Sequence, residues 1–145
     1  MRKAIKGVEY IDRTLIWNPA HVALCLDQKA FDREMKRLGV HDPNPFLTPG
    51  FGGKTHWFES DGYLTAIVTL DAARAAKLST EVVYGLLVHE AVHVWQAICR
   101  NIGETKPSAE FEAYSVQSIS QLLFCAYKRA AKKPRKVQSK PKGAK

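Results

Sequence analysis

Residues 82 to 98 read VVYGLLVHEAVHVWQAI, an apolar run interrupted by four polar side chains, His89, Glu90, His93 and Gln96. Ser79 or Thr80 can cap a helix that starts just before this run, and Gly103 can end it soon afterwards. A helix that is apolar on nearly every side is typically buried in a protein core. The segment therefore predicts a buried helix that carries these four polar groups inside the core.

The spacing of two histidines in this helix predicts a metal site. His89 and His93 are four residues apart, so their side chains lie on the same face of a helix. Two imidazoles at this spacing can bind one zinc ion, at about 2.0 to 2.1 Å each. Glu90 lies beside them, where a general base for a metal-bound water would lie. The alternative is two hydrogen-bonded core histidines and a paired glutamate, but one metal ion accounts for all three side chains together.

A catalytic zinc site needs a third protein ligand and keeps one position for water. Glu110 and Glu112 follow in the first turn of the next predicted helix, which a helix hairpin would fold back alongside the first. An acid in a first turn is also favoured by the helix dipole alone, and one of the two can serve only that purpose.

The faces of that second helix distinguish the two acids. Glu110 shares a small and polar face, of the kind that lines a site, with Ala113, Tyr114, Gln117 and Gln121. Glu112 shares a face that is typical of core packing, with Val116, Ile119 and Leu123. We therefore predict Glu110 as the third ligand and keep Glu112 as the alternative.

The motif HEAVH at 89–93, followed by AEFEAY at 109–114, resembles the gluzincin metallopeptidases. In that family a glutamate on a following helix completes the site, often with alanine three residues later, and Glu110 and Ala113 match this pattern. Tyr114 departs from it, since the family usually has an acid there that orients a ligand histidine. The chain is also similar to small phage or prophage proteins that carry this motif. The resemblance is specific over residues 84 to 121.

The resemblance implies a zinc metallopeptidase that hydrolyses a peptide bond. His89, His93 and Glu110 would hold the zinc, and Glu90 would take a proton from the attacking water and give it to the leaving amine. The family plan also implies that the strand at 63–70 lies at the cleft edge, where an extended peptide substrate can pair with it.

The sequence is also compatible with two other functions. The first is a zinc-binding module that does not cut, which a fourth ligand such as Glu112 or His56 would indicate. Glu90 argues against this reading, because a structural zinc site has no use for a carboxylate that is not a ligand. The second is binding of nucleic acid or of another acidic partner through the basic C-terminal segment.

The remaining pattern predicts an α+β fold with a small antiparallel sheet. Asn18 and Pro19 indicate the start of a helix over 19–38, which Gly39 ends. Two strands at 55–59 and 63–70 flank Asp61-Gly62, a strong hairpin signal. We also expect a strand within 8–17, a short helix or turn at 71–78 and a last helix from about 108 to 131.

Composition predicts one domain and a basic tail. The chain has 145 residues, which is the size of a single domain, and a net charge of +8. Nine lysines and arginines lie from Lys128 onward, so the rest of the chain has thirteen basic against fourteen acidic residues. We expect one domain over 1–131 and a disordered tail over 132–145, because the tail has too few apolar residues to order itself. Residues 128–145 could contact phosphates or acidic surfaces, or only keep the chain soluble.

Cysteine usage and hydropathy limit the class of protein. The three cysteines are widely separated and form no CxxC spacing, which argues against a disulfide framework and against an all-cysteine zinc site. The basic N-terminus is followed by no apolar segment of the kind found in signal peptides, and the longest apolar run falls short of a typical membrane span. We therefore expect a cytoplasmic protein without a membrane span, in the host cytoplasm if a phage encodes it.

Overall fold

The computed structural model describes residues 6–11, 20–60 and 62–132. Its elements are, in chain order, β1 (Val8–Ile11), β2 (Ala20–Cys25), α1 (Gln28–Leu38), β3 (Gly53–Ser60), β4 (Tyr63–Leu70), α2 (Ala72–Ala75), α3 (Thr80–Ile102) and α4 (Ala109–Lys132). The α+β class is confirmed. The predictions for residues 12–19, for Asp61 and for the tail from 133 onward lie outside the described residues.

The described strands form one mixed sheet in the order β1-β2-β4-β3. β1 is antiparallel to β2, and β3 is antiparallel to β4, with Thr55 opposite Val68. The predicted hairpin is therefore confirmed. β2 runs parallel to β4, with Ala20 opposite Leu64, so the prediction of a purely antiparallel sheet is wrong.

The prediction of a helix from Pro19 is wrong over its first half, where the chain forms β2 instead. β2 lies between two other strands, and Ala23, Leu24 and Cys25 are buried. A strand covered on both faces reads as a continuous apolar run, which periodicity cannot distinguish from a buried helix. α1 starts only after Asp27, whose carboxylate accepts a hydrogen bond from the Ala30 amide at 2.8 Å.

The side chains of β4 alternate between two cores, one on each face of the sheet. Leu64, Ala66 and Val68 pack with α3 and α4 on one face. Ile67 points the other way and packs against α1 and the loop after it, in a cluster with Phe31. This alternation is the period of two that a strand imposes on its side chains.

α3 and α4 form the predicted helix hairpin. Ser79 caps α3, and Gly103 ends it with a φ of 72°. The Trp95 ring packs edge-on against Phe111 at 5.1 Å, and the Tyr84 ring stacks on Phe124 at 4.3 Å. Because the earlier residue of α3 contacts the later residue of α4, the two helices run antiparallel.

The burial of α3 corrects one expectation. Of the four polar side chains expected inside the core, Glu90 is buried, His93 is half-buried, and His89 and Gln96 are exposed. By length and composition α3 could cross a membrane, but the core helix of a soluble protein meets the same test. α3 packs on the sheet with one side, and His89, His93 and Gln96 form a partly exposed polar stripe along the helix.

Candidate metal centre

His89 and His93 face one another on the outer side of α3. Their Nε2 atoms are 3.1 Å apart, and the two rings are nearly perpendicular at 82°. Two nitrogens that bind one tetrahedral zinc at 2.0 to 2.1 Å would be about 3.4 Å apart. The separation also suits a hydrogen bond between two neutral imidazoles, one donating and one accepting. The two nitrogens thus fit two ligand positions of a single zinc ion with little movement.

Gln96 contacts the second ring nitrogen of His93. The Gln96 Oε1 atom lies 3.2 Å from His93 Nδ1, so a proton on Nδ1 can be donated to the amide oxygen. That tautomer leaves the lone pair of His93 Nε2 available for a metal, and contacts of this kind commonly orient ligand histidines. The sequence prediction treated Gln96 only as a buried polar residue. The spacing of three residues from His93 is the signal that indicates the contact.

Glu90 is held between α3 and β3. Its side chain is 4 % exposed, and the Thr55 hydroxyl donates to Glu90 Oε2 at 2.7 Å. The same hydroxyl lies 3.3 Å from the Glu90 backbone oxygen. β3 thereby fixes one carboxylate oxygen of Glu90.

Two glycines allow this close approach of strand and helix. A Cβ at Gly53 would lie 3.1 Å from both Cγ and Oε1 of Glu90. A Cβ at Gly52 would lie 2.7 Å from a methyl carbon of Leu86. Both glycines lie outside the predicted strand at 55–59, and the sequence pattern gives Thr55 no role in a site. A glycine pair directly before a strand is the signal for such a close backbone approach.

The two candidate third ligands lie in the first turn of α4, and both are exposed. Phe111, between them, contacts Trp95, so this turn lies beside the part of α3 that follows His93. Among residues 6–11, 20–60 and 62–132, no three His, Cys, Asp or Glu side chains form a group that could hold a metal. The structure thus brings His89 and His93 together, and it brings neither Glu110 nor Glu112 to them.

The two faces of α4 differ in burial. The face of Glu110 is exposed to solvent, including Tyr114 at 64 %. On the face of Glu112, Ile119 and Leu123 are buried. Burial raises the pKa of the Cys99 thiol on α3, and the charges of Glu104 and Glu112 raise it further. Glu112 therefore lies close enough to act electrostatically on α3.

His56 lies on the other face of β3 and takes no part in this site. Its ring is buried against Phe31, with 4.7 Å between ring centroids, and its Nε2 lies 3.2 Å from the Phe46 carbonyl oxygen. Burial lowers the pKa of His56 to about 4, so the imidazole is neutral at pH 7. His56 is a core residue, and its position excludes it as a fourth ligand of the His89–His93 pair.

The strand beside the site is β3. β4 lies inside the sheet, between β2 and β3, so the expectation that residues 63–70 form the cleft edge is wrong. β3 has a free edge in the described sheet, its Thr55 side chain is hydrogen-bonded to Glu90, and its Gly53 backbone lies close to the same carboxylate. Further along β3, the Trp57 ring is 49 % exposed and lies beneath the guanidinium of Arg100. β3 is thus the strand that packs along the histidine-bearing helix α3.

Comparison with protein-family models, with curated proteins and with solved structures found no match to this chain. The similarity to gluzincins therefore depends on the motif residues alone.

Proposed function

We propose that this protein is a zinc-dependent metallopeptidase in which His89 and His93 bind the metal and Glu90 is the general base. The observation that supports this most is the convergence of the two Nε2 atoms, 3.1 Å apart, on the helix that also carries the buried Glu90. Burying a carboxylate without a cationic partner costs free energy of folding, so a carboxylate retained in such a place is expected to have a chemical task. General-base catalysis is such a task.

Each residue of the site has a separate role in the proposed reaction. A bound zinc would supply a Lewis acid and a water of lowered pKa. Glu90 accepts a proton from the attacking water and passes it to the amine that leaves. Thr55 holds Glu90 Oε2, which makes Oε1 the oxygen that exchanges the proton. Gln96 holds His93 in the tautomer that binds metal through Nε2.

We propose Glu110 as the third ligand, with Glu112 as the alternative. Both carboxylates are exposed at the start of α4 and are free to change rotamer. Glu110 matches the family pattern of a glutamate followed by alanine three residues later. Glu112 is the alternative because it lies in the same first turn of α4. Metal binding by single variants distinguishes the two.

A peptide is the substrate class that the surroundings favour. β3 is an edge strand of the described sheet, so it offers backbone N–H and C=O groups to an extended chain, and it contacts the histidine-bearing helix through Thr55 and Glu90. Adding a strand to a sheet edge is a common way to bind peptides in this conformation. His89, Gln96 and Trp57 are also exposed to solvent.

The first test is bound zinc per chain after reconstitution and removal of loosely bound metal. We expect about one zinc for the wild type, as a three-ligand catalytic site requires. His89→Ala and His93→Ala should abolish binding. Loss in Glu110→Ala but not in Glu112→Ala identifies the third ligand, and the reverse result moves it to Glu112. A wild type that binds no zinc contradicts the proposal.

The second test separates catalysis from metal binding. Glu90→Gln keeps the size of the side chain and removes the base, so it should bind zinc like the wild type and cut no peptide in a proteome-derived library. A wild type that binds zinc and cuts no peptide would instead be a zinc-binding module that acts by binding. The proposed contact of residues 128–145 with nucleic acid is tested separately, by salt-dependent binding of the full chain and of a chain truncated after Ala131.

A further inference from the structure

The polar stripe of α3 continues beyond the two histidines to Arg100. His89, His93, Gln96 and Arg100 follow one another at intervals of four, three and four residues, so all four lie on one face of the helix. Arg100 is seven residues after His93, which is two turns, or about 10 Å along the helix axis. Arg100 therefore continues the line of the proposed zinc ligands along α3.

The partner of Arg100 is Trp57, which lies on β3. The guanidinium carbon lies 5.1 Å from the centre of the Trp57 ring on β3. Gly53, Thr55 and Trp57 alternate on the strand and share the face that is turned toward α3. The first two lie against Glu90 and the third contacts Arg100, so β3 follows α3 from Glu90 to Arg100.

Arg100 forms no ion pair in the part of the chain that the structure describes. The described ion pairs are Glu34 with Arg37 and Glu9 with Arg129, and Arg100 belongs to neither. Its contact with the Trp57 ring is a cation–π interaction, which leaves the N–H groups of the guanidinium for other partners. A guanidinium held in this way is prepared to bind a carboxylate with two parallel hydrogen bonds.

From this placement we infer that Arg100 and Trp57 form a subsite for an acidic side chain of the substrate. The inference rests on the proposed peptidase function and names its substrate class. An extended peptide advances about 3.3 Å per residue, so a distance of about 10 Å corresponds to three residues. The preferred peptide carries aspartate or glutamate about three residues from the bond that is cut.

The test is cleavage-site profiling of a proteome-derived peptide library by the zinc-loaded full chain. The wild type should prefer Asp and Glu about three residues from the cut bond, with kcat/KM for such peptides about tenfold above that for matched alanine peptides. Arg100→Glu should lose this preference and select Lys or Arg at the same position. The same profile from the wild type and Arg100→Glu would overturn the inference.

Lys29 provides the control. It is an exposed cation on α1, which packs on the face of the sheet opposite to α3. Lys29→Glu makes the same change of charge and should keep the wild-type profile. Equal loss of the acidic preference in Lys29→Glu and Arg100→Glu would show an effect of net charge alone and would contradict a subsite.

A binding measurement keeps the inference testable even if the chain cuts no peptide. The probes are a capped alanine peptide with a single glutamate and the matched peptide with a single lysine. The indole N–H signal of Trp57, assigned with Trp57→Phe, should shift on titration with the glutamate peptide in wild type and not in Arg100→Glu. No shift, or equal shifts with both peptides, overturns the subsite. Failure of the proposed function appears separately, as zinc binding without hydrolysis or as no zinc binding.

Discussion

The two faces of the sheet hold their buried polar groups in different ways. On the α1 side, Glu34 is 1 % exposed and forms an ion pair with Arg37, and His56 is neutral and bound to a backbone carbonyl. On the α3 side, Glu90 is 4 % exposed, and its described side-chain partner is the neutral hydroxyl of Thr55. Polar groups on the first face are compensated within the fold. Glu90 is not compensated by a cation in the described residues, which is the pattern expected where function rather than stability selects a residue.

The largest expected effect separates the roles of the two buried glutamates. Glu90→Gln should lower kcat/KM by about 100-fold or more, because general-base catalysis typically contributes a factor of 10² to 10⁴. The same change should leave the free energy of unfolding equal or higher, since it removes a buried charge. Steady-state hydrolysis and urea unfolding measure the two quantities. A variant that stays active, or that unfolds much more easily, would contradict a catalytic role.

On the α1 side we expect a large effect on the free energy of unfolding and none on hydrolysis. Arg37→Met removes the ion pair between Arg37 and the buried Glu34, and losing one partner of a buried ion pair costs about 3 kcal/mol. We expect a lower urea midpoint together with unchanged zinc content and unchanged hydrolysis in the remaining folded protein. Adding Glu34→Leu to this variant also removes the buried carboxylate and should restore part of the lost stability. No recovery in the double variant would show that packing, not charge, explains the loss.

The same face should give the protein a sensitivity to acid. The pKa of His56 is lowered to about 4 in the folded protein, below its ordinary value near 6.5, because burial disfavours the charged ring. The unfolded chain therefore binds this proton first as the pH falls. The stability that depends on neutral His56 is present above pH 6.5 and is lost as the pH falls toward 4, by up to about 1.4 kcal/mol per pH unit. Urea unfolding from pH 7 to 4 measures it, and His56→Gln should flatten the slope.

The smallest expected effect concerns the contact that joins Glu90 to the sheet. Thr55→Val removes the hydroxyl and keeps the shape of the side chain, at a cost of about 1 to 2 kcal/mol. We expect kcat to fall about tenfold with little change in KM, since a loosened Glu90 affects the reaction and not peptide binding. Thr55→Ser should restore most of the rate. A rate unchanged in Thr55→Val would exclude a positioning role for the hydroxyl.

Local sequence patterns predicted the two hairpins well. The Asp-Gly pair between two strands, the cap at Ser79 and the stop at Gly103 each depend on a few neighbouring residues, and the structure has β3–β4, α3 and α4 where they indicate them. The spacing of His89 and His93 likewise needs only the period of a helix to bring the two rings together.

The parts that sequence did not predict depend on long-range pairing. β2 looks like a buried helix until its partner β4, which begins more than forty residues later, is known. Thr55 and Glu90 are 35 residues apart, and neither position indicates the other. Which face of α4 meets α3 depends on the crossing of the two helices, so the preference for Glu110 over Glu112, drawn from the pattern of the faces, stays a prediction.

The division of the site between two hairpins has a consequence for the kinetics of folding. Thr55 and Gly53 belong to the β3–β4 hairpin, and both histidines and Glu90 belong to the α3–α4 hairpin. Each hairpin has contacts that are close in sequence and can form early, whereas the parallel pairing of β2 with β4 closes a long loop and is slow. The Glu90 carboxylate becomes buried only when the two hairpins dock. We therefore expect substitutions at Thr55 to accelerate unfolding while leaving the folding rate nearly unchanged.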